Sequence, residues 1–264
     1  MTPMDMTPVD MTPMDMTPVD RTGPYVRSAR VYDAVNEAEG KDYAREADAI
    51  LELIRDRAPG ATSLLDVACG TGRHLEHFAR HLRCEGVDRD AGMLELAKKR
   101  CPEVPFTRAD MTDFDLGRRF DAVVCLFSTV GHLLTTERLG AAVQAMARHL
   151  SADGVLIVEP WFQPAQWMDG YLSLVSVDLP DLKVARLSIS GRRGNIAELD
   201  FHYLVGAHAD VDAFVEHYEL ALFTWEEYRA AFERAGLVPE VDEHGLTGRG
   251  LVVGVARAGP PPRG

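Results

Sequence analysis

The run Leu64-Leu65-Asp66-Val67-Ala68-Cys69-Gly70-Thr71-Gly72 constrains this chain more than any other stretch. It reads as a strand buried on both faces that carries one acid and ends in a tight glycine turn opening a helix. Strands apolar on both faces belong inside parallel sheets. A glycine turn between such a strand and a helix lets backbone come close to a ligand beyond the strand's carboxyl end. Asp88 follows a little over twenty residues after Asp66, at the end of a second short apolar run. A carboxylate there can accept two ribose hydroxyls.

The rest of the chain extends this pattern. Apolar runs at 63–67, 84–87, 120–127 and 154–158, with a weaker one at 104–107, alternate with helical stretches near 73–82, 91–100 and 137–150. Such alternation predicts a mostly parallel sheet covered by helices on both faces. A helix precedes it, with Ala47, Ile50, Leu51 and Ile54 on one face and Pro59-Gly60 at its end. After Gly170 the period changes to two, in runs at 172–177, 184–189, 197–204 and 214–223. Ala197, Leu199, Phe201 and Tyr203 alternate with Glu198, Asp200 and His202, which predicts an antiparallel insertion with one wet face. Thr224 and Glu227 read as a capping box for a helix ending at Gly236, and runs at 237–241 and 251–255 supply two last strands.

Residues 1–20 are the decapeptide MTPMDMTPVD written twice, with no apolar period. The expected organisation is a disordered leader over 1–22, one domain over 23–258 with an insertion at about 171–223, and a flexible tail over 259–264. With 264 residues, 46% of them hydrophobic, the chain can bury one sizeable core. A formal charge of -13 argues against a nucleic-acid partner, because phosphate backbones need a basic face. No apolar run approaches the length of a membrane span, and the N-terminus lacks the basic start and apolar core of a signal peptide. Cys69, Cys84, Cys101 and Cys125 form no C-x-x-C pair, so buried thiols in the reducing cytoplasm are expected, with neither disulfides nor zinc. His74, His77 and His81 share a helical face, but without a completing carboxylate or thiolate they read as a solvated face and no metal is expected.

The glycine spacing selects among nucleoside cofactors. A dinucleotide fingerprint would continue to a third glycine, and Leu75 occupies that position. S-adenosylmethionine, which has no pyrophosphate, fits better. Its methionine end can lie over Gly70 and Gly72, its ribose on Asp88, and its adenine beside Asp110 and Met111. His132 follows the fourth strand and has a suitable unperturbed pKa for accepting a proton. Arg249 sits in a Gly-Arg-Gly turn from which a planar fork can reach a diphosphate.

Six stretches together resemble a narrower family. They are Gly40-Lys41-Asp42-Tyr43, Ser63 through Gly72, Asp110-Met111-Thr112-Asp113-Phe114, Phe127-Ser128-Thr129-Val130-Gly131-His132-Leu133, Val158-Glu159-Pro160-Trp161 and Thr247-Gly248-Arg249-Gly250. The chain is similar from about Tyr25 onward to the TDP-amino-deoxysugar N-methyltransferases and N,N-dimethyltransferases of the desosamine and mycaminose type. The resemblance implies an α/β fold, a Rossmann-like class I methyltransferase sheet with an antiparallel β insertion. It implies S-adenosylmethionine contacts at Tyr32, Ala68, Asp88, Asp110, Met111 and Leu126. Tyr25, Tyr43, Trp161, Arg192 and Arg249 would face a TDP-linked amino sugar, and His132 and Tyr25 would lie at the amine and act in catalysis. The insertion would cover the sugar nucleotide and contribute to a homodimer.

The chain departs from the family pattern at Asp88, usually Glu, and at Gln163-Pro164-Ala165, Ser188-Ile189-Ser190 and Glu198. The expected reaction is in-line transfer of a methyl group to a neutral amine. Methylation of another amine or hydroxyl of a small secondary metabolite, or a binding scaffold without catalysis, stays open at this point.

Overall fold

The computed structural model describes residues 21–208 and 210–256. Residues 1–20 of the expected leader over 1–22, and the expected tail over 259–264, lie outside the described residues. Arg21 and Thr22, which the sequence reading assigned to the leader, form strand β1. A 3-10 turn Ser28–Arg30 follows, and then helix α1 (Tyr32–Ala38). Helix α2 (Tyr43–Arg57) starts at an Asp42 cap that accepts the Arg45 amide. It buries Ala47, Ile50, Leu51 and Ile54, the face that the sequence spacing predicted.

Strand β2 (Ser63–Val67) is buried along its whole length. Helix α3 (Arg73–Phe78), strand β3 (Arg83–Asp88), helix α4 (Ala91–Arg100), strand β4 (Phe106–Arg108), strand β5 (Phe120–Cys125), helix α5 (Thr136–Arg148) and strand β6 (Leu150–Val158) complete the parallel part. Strands β7 (Leu172–Leu179), β8 (Leu182–Arg193), β9 (Ile196–Ala207) and β10 (Asp210–Ala221) form the insertion. The chain then returns through helix α6 (Trp225–Arg234) to β11 (Leu237–Asp242) and β12 (Leu251–Ala256). The Thr224–Glu227 capping box at α6 is formed in both directions. No described helix is long and apolar enough to cross a membrane.

The main sheet has the order β11-β12-β6-β5-β2-β3-β4, with β2 to β6 parallel and β12 antiparallel to β6. Successive core residues turn to opposite faces. Leu64, Ala122, Val124 and Ile157 pack with α2, α3 and α4, while Leu65, Val123, Cys125 and Leu156 pack with α5 and α6. Each Val, Leu or Ile among them contributes about 1.5–3 kcal/mol by burial, so the alternation fixes the register against a one-residue slip. Strand order reverses at β2, with β3 and β4 on one side and β5 and β6 on the other. Ligand crevices form at the carboxyl ends beside such a reversal.

The second sheet has the order β1-β10-β9-β8-β7. Its inner face carries Val175, Val177, Val184, Tyr203, Val205 and Phe214, which pack on Val31 and Val35 before and within α1. Its outer face departs from the expected wet surface. Leu172 pairs with Ile189 and Leu174 with Leu187, and all four are exposed, as is Leu204. The polar alternation holds on β9, where Glu198, Asp200 and His202 are half-buried, and on the part of β10 opposite it, at His217 and Glu219.

Candidate functional site

A first cavity, of about 100 Å³, opens beyond the carboxyl ends of β2 and β3. Ala68, Gly70, Asp88, Asp110, Met111 and Tyr32 all line it. Gly70 has φ +53°, and no atom would stand within 4 Å of a Cβ added there. The Asp88 carboxylate is anchored at the back of this space by the Gly70 and Asp90 amides, each at 2.8 Å. Burial pushes its pKa up, and those two amides offset part of the rise. Burial also works against the Asp110 carboxylate, but hydrogen bonds from Thr112, and then Arg138, hold it below the usual range. An open glycine turn, a fixed carboxylate for a diol and a thioether beside a second carboxylate fit a nucleoside cofactor such as S-adenosylmethionine.

Two of the expected cofactor contacts do not line this cavity. Gly72 caps α3 at φ +77°, where an added Cβ would meet the Ala97 Cβ at 3.2 Å. Its role is close approach of α3 to α4. Leu126 is buried in the core with Leu64 and Val124.

A second cavity, of about 430 Å³, lies between the main sheet's loops and the insertion. Arg249, Trp161, Phe162 and Phe127 form one wall. The Arg249 guanidinium stands 4.8 Å from the Trp161 ring centre and 5.1 Å from that of Phe162, and it donates to the Ser128 hydroxyl. The fully buried Glu159 joins the two loops that make this wall, accepting from the Phe127 amide and the Thr247 hydroxyl.

The insertion forms the opposite wall with Ser173, Arg186, Ser188 and Ser190. Ile189, between the two serines, faces outward and is exposed, so this departure from the family pattern does not touch the cavity. Arg186 lies over the Phe201 ring and is ion-paired with Glu39.

Tyr25, Tyr32 and His132 line both cavities and mark their junction. The Tyr25 hydroxyl and His132 Nε2 are 3.1 Å apart. Burial pushes the His132 pKa down to about 4; the Arg89 charge adds to this, and a backbone contact with Glu219 opposes it. Burial first, and then the Asp88 charge, push the Tyr25 phenol up. At neutral pH both groups are therefore uncharged, and the imidazole is a weaker base than its unperturbed pKa implied. Tyr25 has φ +64°, a conformation costing a non-glycine residue about 1–3 kcal/mol.

Other expected site residues stand elsewhere. Arg192 is exposed and donates to the Gly194 and Pro164 carbonyls, away from the cavity wall. Tyr43 is buried edge-on against His74 and lines neither cavity. His74 corrects the solvated-face reading. It is buried and hydrogen-bonded to Glu46 at 2.9 Å, while α3 stops at Phe78, short of His81. Among the described residues no group of His, Cys, Asp and Glu could hold a metal ion, and all four cysteines are unpaired and buried.

The sequence reading missed Arg186, Tyr218 and Glu216. Tyr218 lines the larger cavity, and the fully buried Glu216 accepts its hydroxyl. The available signal was a carboxylate in the apolar period-two face Phe214, Tyr218 and Leu220 of β10.

The model of a methyltransferase domain family matches residues 64–154. Over 235 residues the chain is 48% identical to a Streptomyces venezuelae dTDP-3-amino-3,4,6-trideoxy-alpha-D-glucopyranose N,N-dimethyltransferase, covering 87% of this chain and 98% of that one. It is 40% identical to a Saccharopolyspora spinosa dTDP-4-amino-2,3,4,6-tetradeoxy-D-glucose N,N-dimethyltransferase, covering 86% and 92%. The structure of S-adenosylmethionine-bound CalS10, a Micromonospora echinaspora amino pentose methyltransferase of calicheamicin biosynthesis, superimposes with a TM-score of 0.79. That chain is 43% identical, with 85% of this chain and 96% of that one covered.

Proposed function

Because the chain belongs to the family of S-adenosylmethionine-dependent TDP-amino-sugar N-methyltransferases, we propose that it methylates the amino group of a TDP-linked amino deoxysugar, once or twice, in a secondary-metabolite pathway. The observation that carries this reading is the junction at Tyr25 and His132, shared by a nucleoside-type cavity and a larger cavity with an arginine wall.

S-adenosylmethionine supplies an electrophilic methyl group on a sulfonium. Asp88 holds the ribose hydroxyls, with Asp110 and Met111 at the adenine and the open backbone of Gly70 at the methionine end. Arg249 offers its fork to the diphosphate, steadied by Trp161, Phe162 and Ser128. The sugar amine reaches the junction from the larger cavity.

The amine must be neutral to attack. Tyr25, Tyr218, Trp161 and Leu220 surround the junction with rings and aliphatic carbon, and such a desolvated setting disfavours the ammonium form. His132 is neutral and carries no charge to repel a second cation. Its lowered basicity makes Nε2 a weak proton store. Its main work is therefore to hold the Tyr25 hydroxyl and the amine in line with the methyl group, a contribution that alone can supply much of the rate.

The chain works as a homodimer in the cytoplasm. The exposed apolar outer face of the insertion favours association with a second copy, and four buried unpaired thiols suit a reducing compartment. The acidic net charge favours a small-molecule acceptor over nucleic acid.

The deciding assay is mass spectrometry of products from S-adenosylmethionine and a panel of TDP-3-amino and TDP-4-amino sugars. It reads amine position and methyl count together, and no methylated sugar from any member would end the assignment. In a parallel measurement, TDP raises the melting temperature of the protein with S-adenosylhomocysteine, and Arg249→Ala abolishes the rise.

A further inference from the structure

Residues 23–31 run between β1 and α1 with little regular structure of their own, only the three-residue turn Ser28–Arg30. Pro24 and Tyr25 of this strap line the smaller cavity, and Tyr25 also lines the larger one. One side chain gathers the strap. Glu216 Oε1 accepts the amides of Arg27 at 2.8 Å and Ser28 at 2.9 Å. Its Oε2 accepts the Tyr25 amide at 3.2 Å, the Ser28 hydroxyl at 2.6 Å and the Tyr218 hydroxyl at 2.9 Å.

A carboxylate with no solvent exposure is expensive to bury unless its oxygens are fully hydrogen-bonded. Here every one of those donors lies in the strap except Tyr218, and Tyr218 itself also receives the Tyr25 amide at 3.3 Å. The backbone of β1 pairs with β10 in the same place, Thr22 opposite Glu216. Glu216 is therefore the acceptor for three of the strap's amides, beside the ion pairs of Arg27 and Arg30 with Asp212 and the packing of Val31.

We propose that Glu216 is a positioning residue for methyl transfer, latching the strap against the cofactor cavity and setting the Tyr25 hydroxyl against His132. The assignment rests on the reaction proposed above.

Glu216→Gln tests this selectively. An amide has one acceptor oxygen and one donor nitrogen, so it can satisfy the Arg27 and Ser28 amides or the Tyr25 amide, but not all three. Hydrogen exchange with S-adenosylhomocysteine bound needs no sugar acceptor. Whichever set is left facing the nitrogen, the Tyr25 amide or the Arg27 and Ser28 amides, should exchange about tenfold faster or more in the variant, as for loss of a hydrogen bond to a charged group. Those pairing β9 with β10 should keep their rates. Unchanged exchange at residues 25–28 would overturn the latch.

Turnover with the sugar nucleotide should fall by about tenfold or more in kcat, with KM for the sugar little changed. In a Tyr25→Phe background the same substitution should cost about twofold or less. An equal loss in both backgrounds would show that Glu216 does not act through Tyr25. Should the Gln variant fail to fold, Glu216→Asp keeps the charge but withdraws it by one methylene, and both measurements apply to it unchanged. An incorrect acceptor would abolish turnover in the unmodified enzyme too, while leaving the exchange result readable.

Discussion

His132 has two characters, one intrinsic and one imposed. An isolated imidazole titrates near 6.5, whereas burial in the folded chain brings it down to about 4. Unfolding returns the ring to water, so between these values the unfolded chain binds the extra proton. Stability that is fully present above pH 6.5 is therefore lost as the pH falls toward 4, by up to about 3 kcal/mol for this group. In denaturant melts the stability of wild type relative to His132→Asn should be constant above pH 6.5 and fall by up to about 3 kcal/mol as the pH drops to 4, after allowance for groups that titrate in both. Parallel curves would show that the ring does not change its pKa on folding. The imidazole was legible in the sequence because histidine is visible as a letter. Its protonation state was not, because that depends on burial against Tyr25 and Tyr218, residues distant in the chain.

At the scale of elements, the two glycines of the turn separate into different jobs. Both have positive φ, so a side chain at either costs about 1–2 kcal/mol. Gly72 adds a contact with Ala97 of α4, whereas the space at Gly70 is open. Gly72→Ala should thus destabilise the fold more than Gly70→Ala, by about 1 kcal/mol or more in urea melts. Gly70→Ala should in turn weaken S-adenosylhomocysteine binding more, as read by calorimetry; the reverse ranking would invalidate this division. The strand–helix alternation and the Thr224 capping box were readable because their signals are local, set by periodicity and by one side chain meeting a nearby amide. Helix α1 was missed because seven residues hold little periodicity, and Val35 finds its apolar partners on the insertion. His74 was misplaced for the same reason, since the Glu46 that accepts it lies on α2.

For the whole molecule, the insertion faces two ways. Its inner face closes the larger cavity with Ser173, Ser188 and Arg186, and its outer face exposes the pairs Leu172–Ile189 and Leu174–Leu187. A two-strand apolar strip of this kind is disfavoured in water. Leu174→Glu with Leu187→Glu should therefore convert a dimer to a monomer in analytical ultracentrifugation, with circular dichroism unchanged. Wild-type protein that sediments as a monomer would remove the assignment of that face. The sequence by itself determined the parallel sheet, the glycine turn, the Asp88 carboxylate and the antiparallel character of the insertion, because each is written in residue type and short-range spacing. Only the tertiary structure decided that Tyr25 and His132 meet at the junction of two cavities, that Arg249 enters the larger one while Arg192 and Tyr43 do not, and that Glu216 ties the strap. The Tyr25–His132 junction, the place of Arg249 and the Glu216 contacts depend on segments more than a hundred residues apart, and no local period records them.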